Sequence, residues 1–185
     1  MVKKFSIERI SKAGAKFDYE KAKWYNAEWI KREPVEGLKD KVIAVFADKG
    51  VAVNDDQYLL TVIDAVKERC ILLPDFYQQA AYFFEVPKEY DVNSVKPKWN
   101  EAKAEFFNVL IGMLKEKTAI DSVAFEAQFK ALMEEKALKA GDVMLPFRIM
   151  LVGGKFGPHV FDIAALLGKE EMIGRIEKAL VVFNG

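Results

Sequence analysis

Residues 143–152 read VMLPFRIMLV, apolar throughout except for Arg148. A run of this kind is buried on every side, so it predicts a central helix. Pro146 is expected within its first turn, where the missing N–H breaks no helical hydrogen bond. Downstream, the connection GGKFGPH leads into a helix ending at Leu167-Gly168, glycine being well suited to close a helix. A last helix carries Met172, Ile173, Ile176 and Leu180. Upstream, Phe125, Phe129, Leu132 and Met133 mark a helix with Ser122 as its cap. Before it, Trp99, Phe106, Val109, Leu110 and Met113 mark a long one.

The stretch EVPKEYDVNSVKPKW, with two prolines and an Asn-Ser pair, reads as a loop and as the place of a domain boundary. On its far side Pro74 begins a helix whose inner face holds Phe76, Ala80, Phe83 and Phe84. Leu59, Val62, Ile63 and Val66 follow offsets of three, four and seven, with Asn54 and Asp55 as N-cap candidates. Val42, Ile43 and Phe46 mark a shorter helix stopping at Gly50. Alternating strand patterns are scarce. The expected fold is all-α, a helical bundle or cage of two packed helical subdomains, residues 35–87 and 88–185, behind a short segment 1–34.

Twenty-eight basic residues balance twenty-eight acidic ones, which argues against a protein held to nucleic acid, DNA included, by bulk charge alone. A small basic face remains open, because net charge says nothing about patchiness. One cysteine, Cys70, permits no internal disulfide and fits a reducing cytoplasm. No apolar run reaches membrane-spanning length, and the start MVKKFSIERISK lacks the apolar stretch of a secretory signal.

A single histidine, His159, excludes a multi-histidine metal site, and a single cysteine excludes cysteine-rich zinc ligation. Phosphate-loop, dinucleotide and nucleophile-elbow patterns are missing. Glu134-Glu135 and Glu170-Glu171 are neighbours on helices and point different ways, so they read as solvated faces. No catalytic residue and no cofactor site is expected in this chain, and an independent hydrolase lacks a nucleophile–base set.

Two blocks carry a resemblance. FSIERISKAGAKFD followed by KWYNAEWI is similar to the segment of glutamyl-tRNA synthetases just after their catalytic signature loop. VMLPFRIMLVGGKFGPHVFDIAALLGKEEMIGRIEKAL is similar to the family's terminal block. The blocks stand in the family's order and span nearly the whole chain. The resemblance implies the anticodon-binding region of a bacterial-type enzyme, with segment 1–34 as a stem-contact remnant and Met1-Val2 as an added start. It implies a ligase parent, a cytoplasmic enzyme using ATP, glutamate and magnesium. It implies no ligase activity here, since the HIGH-type motif and the lysine-bearing loop lie upstream in the family. The implied partners are glutamate tRNA, through its anticodon loop, and the parent's catalytic domain. The alternative is a non-enzymatic helical module binding RNA or protein.

The resemblance also implies site residues. Arg148, in a run where an unpaired charge is costly, matches an anticodon-contacting arginine; a core-edge arginine paired with a carboxylate is the other reading. The loop Gly157, Pro158, His159 and Val160 opens a helix, whose free N–H groups favour an acceptor. A flat Pro or Val face there can cover a base; a plain helix connection is the other reading. Arg69 matches an arginine that checks the third anticodon letter, although the helix dipole explains a C-terminal arginine equally. Cytosine, which ends glutamate anticodons, offers N3 and O2 as acceptors to a guanidinium. Guanine, which ends glutamine anticodons, presents N–H donors instead, so a glutamate-specific site is favoured. Lys12, Lys16, Lys21 and Lys23 form a small basic cluster that can touch tRNA backbone or simply be solvated. Trp24, Tyr25, Trp29 and Trp99 read as core aromatics rather than stacking platforms. Two residues depart from the family pattern: Leu145 where Gln is common, and His159 where a small residue is common.

Overall fold

The structure is a computed structural model that describes residues 17–185. Among them no strand occurs. The helices run α1 (Tyr19–Arg32), α2 (Val35–Ala47), α3 (Asp56–Val66), α4 (Asp75–Ala80), α5 (Val92–Val95), α6 (Glu101–Lys115), α7 (Ser122–Glu135), α8 (Ala140–Val152), α9 (Val160–Leu167) and α10 (Lys169–Asn184). Short 3₁₀ turns extend α3, α4 and α5 at Lys67–Arg69, Ala81–Phe83 and Lys96–Lys98.

Aspartate and asparagine start several helices by accepting a backbone N–H, which satisfies a donor the helix leaves free. Asp55 accepts from Tyr58 at 2.9 Å, as expected of one of the two candidates. Asn100 and Asp121 do the same for α6 and α7. Asp121 thus replaces Ser122 as the cap of α7, and Ser122 is freed to donate to Asp162 across to α9, at 2.6 Å. Trp99 stands before α6 rather than in it, since Asn100 caps the helix behind it.

Pro146 is a correction. It lies inside α8 and not in its first turn. The reason is Asp142, whose carboxylate accepts the Lys139 N–H at 3.3 Å and so lets the helix begin before the apolar run. The stretch 85–99 is also not all loop, because α5 and its 3₁₀ extension form within it. Phe83 and Phe84 lie beyond the end of α4, Phe83 buried and Phe84 half-buried.

Helices α2, α3 and α4 pack together, and α10 packs on α6, α8 and α9 while α7 packs on α9. The second group surrounds a phenylalanine cluster: Phe129 meets Phe147 at 5.0 Å, Phe106 at 5.1 Å and Phe161 at 5.3 Å between ring centres. As expected, the run 143–152 is central, with Phe147, Ile149, Met150 and Leu151 fully buried. The buried apolar side chains of both groups form one contiguous cluster.

Arg175 on α10 ties the groups. It is buried, pairs with Glu171 at 2.7 Å, and donates to the carbonyls of Leu151 at 2.6 Å and Glu85 at 3.3 Å. Every donor direction it uses ends on an acceptor, which is what allows a guanidinium inside a protein.

Helix α1 differs from the expectation. Only Ile30 is buried on it, while Trp24 and Tyr25 are 57% and 58% exposed and Trp29 is exposed as well. Periodicity gives a helix its apolar face, but burial requires something to pack on that face. Among the described residues α1 meets chiefly the 67–69 turn, where the Asn26 amide donates to the Ile71 carbonyl. Trp99, by contrast, is half-buried, stacks on Phe107 and meets Phe183 edge to face, with its indole N–H donating to Asn184 at 2.9 Å.

Candidate nucleic-acid interface

The α8–α9 connection is shaped by three glycines. Gly153 closes α8 with φ +82, and a Cβ there would lie 2.6 Å from the Glu89 carbonyl oxygen. Gly154 leaves room for the Phe156 ring, and Gly157, at φ +95, leaves room for the Tyr82 hydroxyl. Both positive φ values favour glycine over any residue with a Cβ. The Asp91 N–H donates to the Gly153 carbonyl at 2.8 Å, and Lys155 pairs with Asp91 at 3.4 Å, so the loop is fastened to the segment after α4.

Arg148 fastens its other end. The half-buried guanidinium donates through Nη1 to the carbonyls of Phe156 at 3.0 Å, Gly157 at 3.4 Å and Pro158 at 2.7 Å. Arg148 therefore has no carboxylate partner among the described residues, contrary to the core-edge alternative. Its Nη2 and Nε make no hydrogen bond there. Burial lowers its pKa, with the Tyr82 phenol raising it and the Arg69 charge lowering it again.

Arg69 is exposed at the end of the 3₁₀ turn that follows α3, and it makes no ion pair among the described residues. It lines a cleft of about 600 Å³ with Asp64, Lys67, Glu68, Pro158, His159 and Asp162. Lys67 pairs with Asp64 at 3.4 Å, and Asp162 accepts from Ser122. The sequence-predicted Arg69, Pro158 and His159 therefore share one opening, and Arg148 with Gly157 stands directly behind it.

The loop residues divide by exposure. His159 caps α9 without a side-chain hydrogen bond; its ring is 49% exposed and its Nε2 lies 4.0 Å from a Glu126 carboxylate oxygen. Pro158 and Val160 are buried. Their side chains brace the loop here, and the ring offered at the rim is that of His159. Lys21 and Lys23 are exposed on the first turns of α1, Lys23 paired with Glu20 at 3.0 Å. Lys12 and Lys16 lie outside the described residues.

Tyr82 is a residue the sequence reading missed. It sits under Gly157 with its ring 5.8 Å from that of Phe156. Burial pushes its phenol pKa well up, against the lowering charges of Arg148, Arg69 and Arg175. The available signal was a tyrosine in the apolar run AAYFF, since a buried hydroxyl needs a partner. A larger cavity, about 650 Å³, borders the other end of the loop at Gly153 and Phe156 and holds none of the predicted residues.

A family model described as an anticodon binding domain matches residues 20–180. The glutamate–tRNA ligase of Porphyromonas gingivalis strain W83 is 37% identical over 184 residues, which is 100% of this chain and 36% of that protein. That of Flavobacterium psychrophilum is 39% identical over 97% of this chain and 36% of its own length. The crystal structure of a glutamate tRNA ligase from Elizabethkingia meningosepticum superposes with TM-score 0.85 at 32% identity, over 98% of this chain and 36% of that one. The glutamate–tRNA synthetase from Elizabethkingia anophelis gives TM-score 0.80, also at 32% identity, over 97% of this chain and 35% of that one. The chain thus spans about a third of the length of the relatives it matches.

Proposed function

The chain belongs to the anticodon-binding domain family, and on that premise we propose that it binds the anticodon loop of glutamate tRNA as part of a glutamate–tRNA ligase. One observation carries the reading. Arg69 lines one cleft with Pro158 and His159 at the uncapped start of α9, Arg148 holds the Pro158 carbonyl, and neither guanidinium has a carboxylate partner among the described residues. Asp64, Glu68 and Asp162 line the same cleft, but none pairs with either guanidinium, so donors stay open to an anion or an acceptor-rich edge. Single-stranded loops offer both, because their unstacked bases can be splayed into clefts.

In this reading Arg69 reads N3 and O2 of the third anticodon base, and Arg148 holds the Gly157–Val160 loop against the RNA. His159 covers a base at the rim. Trp24 and Tyr25, exposed on α1, add stacking faces, and Lys21 and Lys23, with Lys12 and Lys16, follow the backbone. The division into residues 1–34, 35–87 and 88–185 belongs to the proposal. It is supported by the packing of α2, α3 and α4 on one another and of α10 on α6, α8 and α9, although one core runs through both groups. Attachment of glutamate, with its ATP and magnesium, is assigned to the larger ligase, in the cytoplasm. The described residues of this chain present no metal-ligating cluster, and no helix among them is long and apolar enough to cross a membrane.

The test is binding to two RNA hairpins that carry the glutamate anticodon loop with C or G as the third letter. Cytosine should bind more tightly by about 1–3 kcal/mol, by analogy with other base-edge readout. Equal binding of the two hairpins, or none, refutes anticodon reading. A steep loss with salt and no base preference would assign the contact to backbone alone.

A further inference from the structure

The chain holds one histidine, and it stands in the Arg69 cleft. His159 makes no side-chain hydrogen bond at the start of α9, and its ring is half-exposed. Charged groups face it from each neighbouring element. On α7, one Glu126 oxygen lies 4.0 Å from Nε2, and the other pairs with Lys130 at 2.7 Å. On its own helix, Asp162 accepts from Ser122. Across the cleft Asp64 and Lys67 pair with each other, while Glu68 and Arg69 make no ion pair among the described residues. Arg148 on α8 stands behind the loop, bonded to the Pro158 carbonyl.

This arrangement decides what the ring offers a ligand. The Glu126 carboxylate favours a hydrogen on Nε2, so in the neutral ring Nδ1 is an acceptor. Protonation puts a hydrogen on Nδ1 as well. The ring is then a donor only, as Arg69 always is. A neutral His159 can therefore take an N–H from guanine. A protonated one repels that N–H and donates to the acceptors of cytosine. A ring that covers one base presents its nitrogens in its own plane, to the base beside it.

We propose that His159 is a specificity-determining residue beside Arg69, and that protonation of its ring widens the preference for cytosine over guanine at the third anticodon letter. The proposal rests on the anticodon reading above. Imidazole is the side chain that ordinarily changes charge between about pH 5 and 8. This chain has a single one, so a pH effect in that range has one side-chain source. The one thiol, Cys70, is pushed up to about 12 by burial and stays out of the range.

The test measures the affinities of both hairpins, with C or G as the third letter, from about pH 7.5 down to about pH 5.5. Their ratio should grow about tenfold across that range, because an acceptor in the cleft becomes a charge-assisted donor. His159→Gln keeps a donor and an acceptor at every pH, and it removes no capping bond. Its ratio should stay level, near that of the unchanged chain at the upper pH. His159→Arg donates at every pH and should show the wide ratio throughout. A ratio in the unchanged chain that does not move with pH overturns the proposal. So does a ratio that moves equally in His159→Gln, which places the titrating group elsewhere. Parallel tightening of both hairpins also overturns it, since that makes the charge a backbone contact. The anticodon reading itself fails on a different result, an unchanged chain that prefers neither hairpin at any pH.

Discussion

Replacing Arg148 with methionine separates fastening the loop from reading a base. Nη1 carries two hydrogens, so its good bonds are those to Pro158 at 2.7 Å and Phe156 at 3.0 Å, with Gly157 at 3.4 Å marginal. Charge-assisted bonds contribute about 1.5–3 kcal/mol each, a gross of about 3–6 kcal/mol. Methionine keeps much of the apolar stem and also removes two penalties, the desolvation of the guanidinium and its repulsion by Arg69. The carbonyls of half-exposed Phe156 and Gly157 can turn to water, whereas Pro158 is buried. The expected net loss in unfolding free energy is therefore about 1–3 kcal/mol. Urea unfolding measures it. Amide hydrogen exchange should show residues 156–160 opening far more than α6 or α10, and both RNA hairpins should bind more weakly. Unchanged exchange in that loop would refute the fastening role. Weakening confined to the cytosine hairpin would make Arg148 a base reader instead.

Two further predictions concern the frame around the site. Gly153→Ala meets both a positive φ and the Glu89 carbonyl at 2.6 Å, whereas Gly50→Ala, at φ +76, meets nothing within 4 Å. The first should cost about 2–4 kcal/mol and the second about 1 kcal/mol; similar urea midpoints for the two would show that residues 85–89 retreat freely. The Asp142 carboxyl is held below its ordinary 3.8, first by the hydrogen bond from Lys103. A depressed folded pKa gives stability that is present above the unfolded value and lost as pH falls through the folded one. The midpoints of the unchanged chain and Asp142→Asn should therefore converge as pH drops below about 4; curves that stay parallel would contradict the pairing.

The helices were legible because their apolar residues recur at three and four and their ends carry Asp or Gly, as at Asp55, Gly50 and Gly168. Errors arose where a tertiary partner decides the outcome. The start of α8 depends on Asp142 reaching back to Lys139, which moved Pro146 into the helix. The aromatic residues of α1 had a helical period, yet exposure depends on what lies against them, and a one-chain pattern does not contain that. The candidate site residues were named through resemblance alone. Arg69 and the Gly157–His159 turn are separated by almost half the chain, and no local spacing joins them. Their partnership follows from the way the α8–α9 loop is tied down, through three glycines and one arginine whose hydrogen bonds go to backbone carbonyls. Carbonyls are the same at every residue, so no side-chain pattern could announce that Arg148 is satisfied by them. His159 shows the converse. Its departure from the family's small residue was visible in the sequence, but only the fold puts that ring at the rim, beside Glu126 and across from Arg69. A base contact at His159 is thus a matter for this chain's own geometry, the half-exposed ring lining the same cleft as Arg69.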